Sequence, residues 1–304
     1  MDLKTELLEY LVKRYEETTG TQMIHDHTMQ SGQNKYYFLN LNDNLIEPMS
    51  EETEKRYREA DGNELQEKMR AIRSSSAMTY NVFGNDAVMF RSGHPIFGSE
   101  TYQVNFEKQL NTIKRSSKKA NLDACLVSED ELMYFEVKMT EWLFNKPGTI
   151  SHNYLDQGHY FYEEAFGAFS SLINQIAVKS SKKETIYESC LNQYDGVQML
   201  KHLLGIYNDL MSKNAGNHKK VRLINCIWEL PDSKPLSPVN QKIYDEKHRL
   251  EREEFQQFYQ AAKPVLELFR EKGIDFDIRL ISVKELLTAM EKTEQQKKFL
   301  ERYL

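Results

Sequence analysis

The chain has 304 residues, 40% of them apolar, with 40 lysines and arginines against 46 aspartates and glutamates, a net charge of −6. That is long enough for one large domain or two small ones, and apolar enough to exclude a disordered chain. The negative total excludes a surface coated with cations for sequence-blind nucleic-acid binding, but a local basic patch is compatible with it.

The first residues, MDLKTELLEYLVKRYEE, set Leu3, Leu7, Leu8, Leu11 and Tyr15 at helical spacing before Gly20. This predicts a helix over 1–19 rather than a signal peptide. No apolar run approaches the length of a membrane span, so a cytoplasmic protein without a membrane partner is expected. KYYFLNLN predicts a short strand before Pro48, and SEETEKRY a helix from about Ser50. The stretch NELQEKMRAIRSSSAMTYNVF, residues 63–83, places Leu65, Met69, Ile72, Ser76 and Tyr80 on one stripe and predicts a long core helix ending at Gly84.

TYQVNFEKQL, residues 101–110, alternates Tyr102, Val104 and Phe106 with Gln103, Asn105 and Glu107, the period of a half-buried strand. Leu122–Val127 and Leu132–Met139 predict two more strands joined by the polar turn SEDE. Residues 149–179 read as helical and rich in Tyr and Phe, and 191–212 as an amphipathic helix. VRLINCIWEL, residues 221–230, predicts a buried strand. A charged helix over 240–271, a strand over 274–282 and a helix to Leu304 complete the chain. Cys125, Cys190 and Cys226 are odd in number and lack metal-type spacing, so no disulfide framework is expected.

The hairpin carries charges where burial is expected. Glu136 and Lys138 share one face of their strand, with Phe135, Val137 and Met139 on the other. The register set by the SEDE turn places Asp123 across from Glu136. Opposed carboxylates repel, and the pairing makes sense if a divalent cation lies between them; hard oxygen ligands suit Mg2+ or Mn2+. A lysine beside them can orient a water or neutralise charge building on a phosphoryl oxygen.

Asp123, a hairpin and then Glu136-Val137-Lys138, in the order helix, three strands, helix, strand, resembles the PD-(D/E)xK nuclease superfamily of restriction-endonuclease-like folds. The wording NLDACL, EVKMTEW and SSSAMTYNVFG is similar to a bacterial branch of it. The resemblance covers residues 63–230. It implies that Asp123 and Glu136 bind Mg2+ with the Val137 carbonyl, that Lys138 assists the attacking water, and that Gln198 stands where the superfamily often carries a glutamine. Two departures accompany it. Leu122 replaces the motif's proline, and the first core helix has Glu64 and Glu67 only near its start, with Ser74, Ser75, Ser76 and Asn81 in its last turns. Glu107 is the substitute candidate for the third acid.

The fold expected is therefore α/β, a restriction-endonuclease-like core with a mixed central sheet and added helices at both ends. Residues 1–62 would form an N-terminal helical extension, 63–230 the core with a helical insertion at about 145–189, and 231–304 a helix-strand-helix extension. Lys114, Arg115, Lys118 and Lys119, just before the Asp123 strand, are candidate phosphate contacts, against the alternative of a solvated loop. His25 and His27 lack partner ligands, and His94 reads as a loop residue. The aromatics of 154–169 read as packing rather than base-stacking platforms, and Glu141 as a surface or supporting acid. The function expected is a Mg2+-dependent phosphodiesterase acting on nucleic acid, DNA first. The competing expectation is a nuclease-like fold that binds or assembles without catalysis.

Overall fold

The apolar runs LMYFEV and LINCI become the middle of a six-stranded sheet, buried on both faces as their continuous hydrophobicity requires. A computed structural model describes residues 1–26, 36–59, 65, 67–84, 87–91, 94, 96–98, 101–116, 118–144, 146, 148–212, 219–231 and 235–304. In chain order, α1 (Leu3–Thr19) is capped by Asp2, whose carboxylate accepts from the Thr5 N–H, and stops at Gly20 with φ 66°. Next come α2 (Glu51–Glu59), α3 (Ser75–Phe83), β1 (Ala87–Met89), β2 (Thr101–Leu110), β3 (Ala120–Val127), β4 (Glu131–Lys138) and α4 (Glu141–Phe144). They are followed by β5 (Thr149–Ser151), α5 (Ala165–Ile176), β6 (Ala177–Lys179), β7 (Ile186–Ser189), α6 (Gly196–Met211) and β8 (Lys220–Ile227). The chain ends with α7 (Pro238–Ala261), α8 (Lys263–Glu271), β9 (Asp275–Ser282), α9 (Val283–Ala289) and α10 (Glu294–Tyr303).

The sheet order is β1-β2-β3-β4-β8-β9. The first four strands form an antiparallel meander, and β8 and β9 then add in parallel to β4, each after a helical crossover. Met133, Phe135 and Val137 of β4 pack into a core shared with α1, α3, α9 and α10. Leu132 and Tyr134 pack on the opposite core, under α5, α6 and α8. The sequence α3-β2-β3-β4-α6-β8 is the expected α/β core order, so the restriction-endonuclease-like fold class holds.

Four elements depart from expectation. KYYFLNLN forms no strand among the described residues: Tyr37 and Phe38 make isolated bridges to Ala71 and His25, and a 3-10 turn follows at Leu41–Asp43. The helix expected over 63–83 begins only at Ser75: Ala71 is extended, Ser74 caps the helix by accepting from the Ala77 N–H, and a short 3-10 turn covers Lys68–Arg70. The hydrophobic stripe through Leu65, Met69 and Ile72 therefore belongs to irregular chain packed on the core, while Asn63 and Glu64 lie outside the described residues. The segment 145–189 is not wholly helical. Beside α5 it carries a separate three-stranded antiparallel sheet, β5-β7-β6, whose strands are three or four residues long and too short to show a period. The charged C-terminal helix breaks at Ala262, before Pro264, whose missing N–H cannot continue α7. Cys125, Cys190 and Cys226 are free thiols.

Candidate active site

The expected hairpin register is observed. β3 pairs with β4 through Val127–Leu132, Leu126–Met133, Cys125–Tyr134 and Ala124–Phe135, so the next rung brings Asp123 to Glu136. There the ladder gives way to a side chain: Asp123 Oδ2 accepts from the Val137 N–H at 2.6 Å. On the other side of β3, Phe106 pairs with Ala124 and Lys108 with Leu122, while the rung between them, Glu107 and Asp123, drops out. Glu107 has φ 53°, and among the described residues no other non-glycine has a positive φ. A glutamate in the left-handed region costs on the order of 1 kcal/mol or more, and such strain concentrates at functional sites. The alternation changes face at this rung. Phe106 and Ala124 go to the α3 core, whereas Leu110 and Leu122 go to the α6 core. Three carboxylates, Glu107, Asp123 and Glu136, thus converge where the meander loses its regular pairing.

Glu136 and Lys138 share a face, as side-chain alternation dictates, but that face is not wet. Glu136 is 4% exposed and is covered by α6. Its Oε1 accepts from Lys138 Nζ at 2.5 Å and from Gln198 Nε2 at 2.8 Å, while Oε2 lies 2.9 Å from His202 Nε2. Lys138 Nζ also donates to Gln198 Oε1 at 2.6 Å. Gln198 and His202 are four residues apart on one helical face, so a single helix supplies both partners. Their placement is fixed from below. Asp195 caps α6 by accepting from the Gln198 N–H at 3.0 Å, and the Glu254 carboxylate of α7 accepts from the N–H groups of Asn192, Gln193 and Tyr194 in the preceding loop.

The electrostatics divide the carboxylates. Burial raises the Asp123 carboxyl well above the usual range, with the charges of Glu136 and then Glu107 adding to it. Although partly exposed as a residue, Asp123 has a carboxyl hemmed in by protein and two like charges, so it is harder to ionise than an ordinary aspartate. Burial would raise Glu136 too, but the Lys138 ammonium and the His202 contact outweigh it and bring Glu136 to about 2. Lys138 is lifted above its ordinary value, because Glu136 overcomes the effect of burial. The ion pair Glu136-Lys138 is thus fully formed, and Asp123 and Glu107 face it.

A hard divalent ion suits this donor set: carboxylates from three successive strands, Glu107, Asp123 and Glu136, with the Val137 carbonyl beside them, and like charges that raise the Asp123 pKa and that a cation would relieve. Among the described residues no group of three His, Cys, Asp or Glu is already drawn together as a metal cage. Both oxygens of Glu136 already have partners, Oε1 in Lys138 and Gln198 and Oε2 in His202, so an ion would share the carboxylate with them.

Beside the carboxylates lies an open groove of about 720 Å³. Arg115, Lys118 and Lys119 of the basic run line it, whereas Lys114 does not; Gln198, Lys201 and His202 form its floor. Behind Lys138 is a smaller, more enclosed pocket lined by Glu141, Asp195, Asn225 and Glu251, among others.

The remaining candidates have structural duties. Glu141 accepts from the Met139 N–H at 2.8 Å, Asn81 binds the Ile46 N–H and the Asn44 carbonyl, and Glu67 precedes the 3-10 turn. His25 bridges to Phe38 and His94 packs on Phe97; His27 lies outside the described residues. Tyr154, Tyr160 and Phe169 are buried, as expected for packing. His202, which sequence reasoning passed over, was legible as the next residue down the face that carries Gln198. Asn121, which donates to Glu107 Oε2, was not: its role depends on the β2–β3 register.

A family model described as Restriction Endonuclease associating with ARP matches residues 13–304. No curated protein and no solved structure matches the chain. Among the described residues, no helix is long and apolar enough to cross a membrane.

Proposed function

We propose, from the premise that this chain belongs to the family of restriction endonucleases associating with ARP, that it is a metal-dependent phosphodiesterase of the PD-(D/E)xK kind acting on DNA. The observation that carries the reading is the convergence of Glu107, Asp123 and Glu136 on one irregular rung, where the like charges raise the Asp123 pKa, with the charged Lys138 on Glu136. Asp123, Glu136, the Val137 carbonyl and Glu107 would hold Mg2+ or Mn2+. When bound, the ion supplies Lewis acidity and lowers the pKa of a coordinated water.

The chain's own residues do the rest. Lys138 stays protonated and presents its charge to the developing negative oxygens of a phosphodiester, a preorganised charge in a site shielded from water. Gln198 fixes the ammonium through its carbonyl and Glu136 through its amide, which sets the distance between cation and carboxylate. His202 holds the second oxygen of Glu136, so the carboxylate keeps one orientation. Cleavage of labelled DNA with Mn2+ tests the reading. Lys138→Ala and Asp123→Ala should each lower the rate by 100-fold or more, about 2.7 kcal/mol of barrier or more. Cleavage that ignores both changes, or none by the native protein, overturns it.

One observation favours the second reading, a nuclease-like module that binds without cutting: both oxygens of Glu136 are already engaged by side chains, and no metal cage is preassembled among the described residues. Calorimetric titration with Mn2+ separates the two. Binding lost in Asp123→Ala and Glu136→Gln supports the enzyme, and no binding by the native chain supports the module.

A further inference from the structure

The groove beside the carboxylates has a composition unlike the rest of the chain. Acids outnumber bases overall, 46 to 40, yet Arg115, Lys118, Lys119 and Lys201 line the groove and, among the described residues lining it, no aspartate or glutamate does. Clustered cations without interspersed acids repel one another unless an anion is the intended neighbour. Lys201 shows the strain. It is partly buried on α6 with Nζ 3.2 Å from the Thr149 carbonyl, and burial, with Lys118 adding to it, pulls its pKa below that of an ordinary lysine against the pull of Asp195. A polyanion in the groove would relieve that cost.

The shape narrows the ligand. Arg115, Ser116, Lys118 and Lys119 form one wall and the small sheet the other, with Thr149 and Ser151 of β5 and Thr185 before β7 facing the basic side. The space between, about 720 Å³, is in the range of a small-ligand cleft of about 300–1,000 Å³, a walled space rather than an open face. The aromatic residue among the described lining, Tyr154, is buried and tied to Thr112 through its hydroxyl at 2.8 Å, so it offers no stacking platform. The floor ends at Gln198 and His202, both bonded to Glu136.

We propose that this groove takes a single, unpaired nucleic-acid strand by its phosphates, without reading bases, and leads it to the Glu136 face. The insertion between β4 and α6 supplies the second wall and thereby excludes the complementary strand. This assignment of substrate class rests on the phosphodiesterase reading for its end point but not for its binding step.

The test is fluorescence anisotropy in EDTA, with a labelled oligothymidylate and a blunt duplex of the same length. The single strand should bind at least about tenfold more tightly, and its affinity should fall with salt by roughly 0.7 log units per log unit for each phosphate neutralised. Lys201→Ala and Arg115→Ala should each weaken binding and reduce that slope by about 0.7. Lys118→Gln, a change at an exposed loop residue, provides the same readout if Lys201→Ala does not fold. Equal or tighter duplex binding, or a slope unchanged in these variants, overturns the proposal. Failure of the two readings is distinguishable. Strand binding in EDTA with no cleavage in Mn2+ leaves the groove standing and removes the enzyme. Duplex cleavage indifferent to the groove variants does the reverse.

Discussion

The residue that departs most from its chemical preference is Glu107, held at φ 53° opposite Asp123. Its strain and the like charges around it are tolerable in a folded chain only because the neighbouring packing over-determines them. Glu251 of α7 presents the same problem in a purer form. It is 2% exposed, its Oε2 has no hydrogen-bond partner among the described residues, and its pKa is pushed up to about 8, by burial first and then by Glu254, against the pull of Lys138. The sign follows from where the proton sits. Below the ordinary glutamate pKa both folded and unfolded chains hold it. Between that value and about 8 the folded chain keeps the proton that the unfolded chain has released, so stability falls by about 1.4 kcal/mol per pH unit and levels off above 8. Glu251→Gln removes this contribution. Its melting temperature relative to the native protein should therefore climb steadily from pH 5 to pH 8, and parallel curves would refute the assignment.

At the scale of elements, α6 carries the site. Its contribution was legible as an amphipathic pattern, but both its faces are engaged: the apolar one on β2 and β3, the polar one on Glu136 and Lys138. The close approach is made at Gly205, where an added Cβ would lie 2.8 Å from Leu110 Cβ and 3.4 Å from Ala120 Cβ. Alanine there gains about 1 kcal/mol of helix propensity but meets a backbone-anchored carbon, and overpacking of that kind costs about 1–3 kcal/mol. The clash wins. Gly205→Ala should lower the urea midpoint and, by lifting α6, weaken the bonds of Gln198 and His202 to Glu136; its cleavage rate should fall although no charged group has changed. The shortened α3 teaches the converse. A hydrophobic stripe through Leu65, Met69 and Ile72 satisfies the helical period, but Ser74 prefers to cap, and the cap wins locally.

For the whole molecule, the two chain ends close on each other. α1 packs on α10, Glu6 accepts from the Ser237 N–H at 2.7 Å, and Arg302 of α10 lies over the rings of Tyr15, Phe38 and Tyr303. The Arg302 guanidinium also donates to the carbonyl and side-chain oxygens of Asn44, at 3.3 and 3.0 Å. Three cation–π contacts and two hydrogen bonds in a buried setting are worth roughly 2–4 kcal/mol together. Arg302→Ala should lower unfolding free energy by about that amount, and Arg302→Lys should not restore it, because an ammonium cannot lie flat on the rings while forking to Asn44. Equal stabilities of Arg302→Lys and the native protein in denaturant titration would contradict this.

Local pattern alone specified the strand pair, its register, the common face of Glu136 and Lys138, and the helix that carries Gln198, because alternation, turn placement and capping are local properties of a chain. It also marked the basic run, which lies in the groove except for Lys114. Long-range packing set the rest: the charged face is covered rather than wet, His202 and Asn121 join it, and Glu107 turns at the dropped rung. It likewise decided that the insertion builds a second wall opposite the basic loop. Those outcomes depend on which elements meet across long stretches of chain, and burial, desolvation and like-charge repulsion take their values only once the partners are in place.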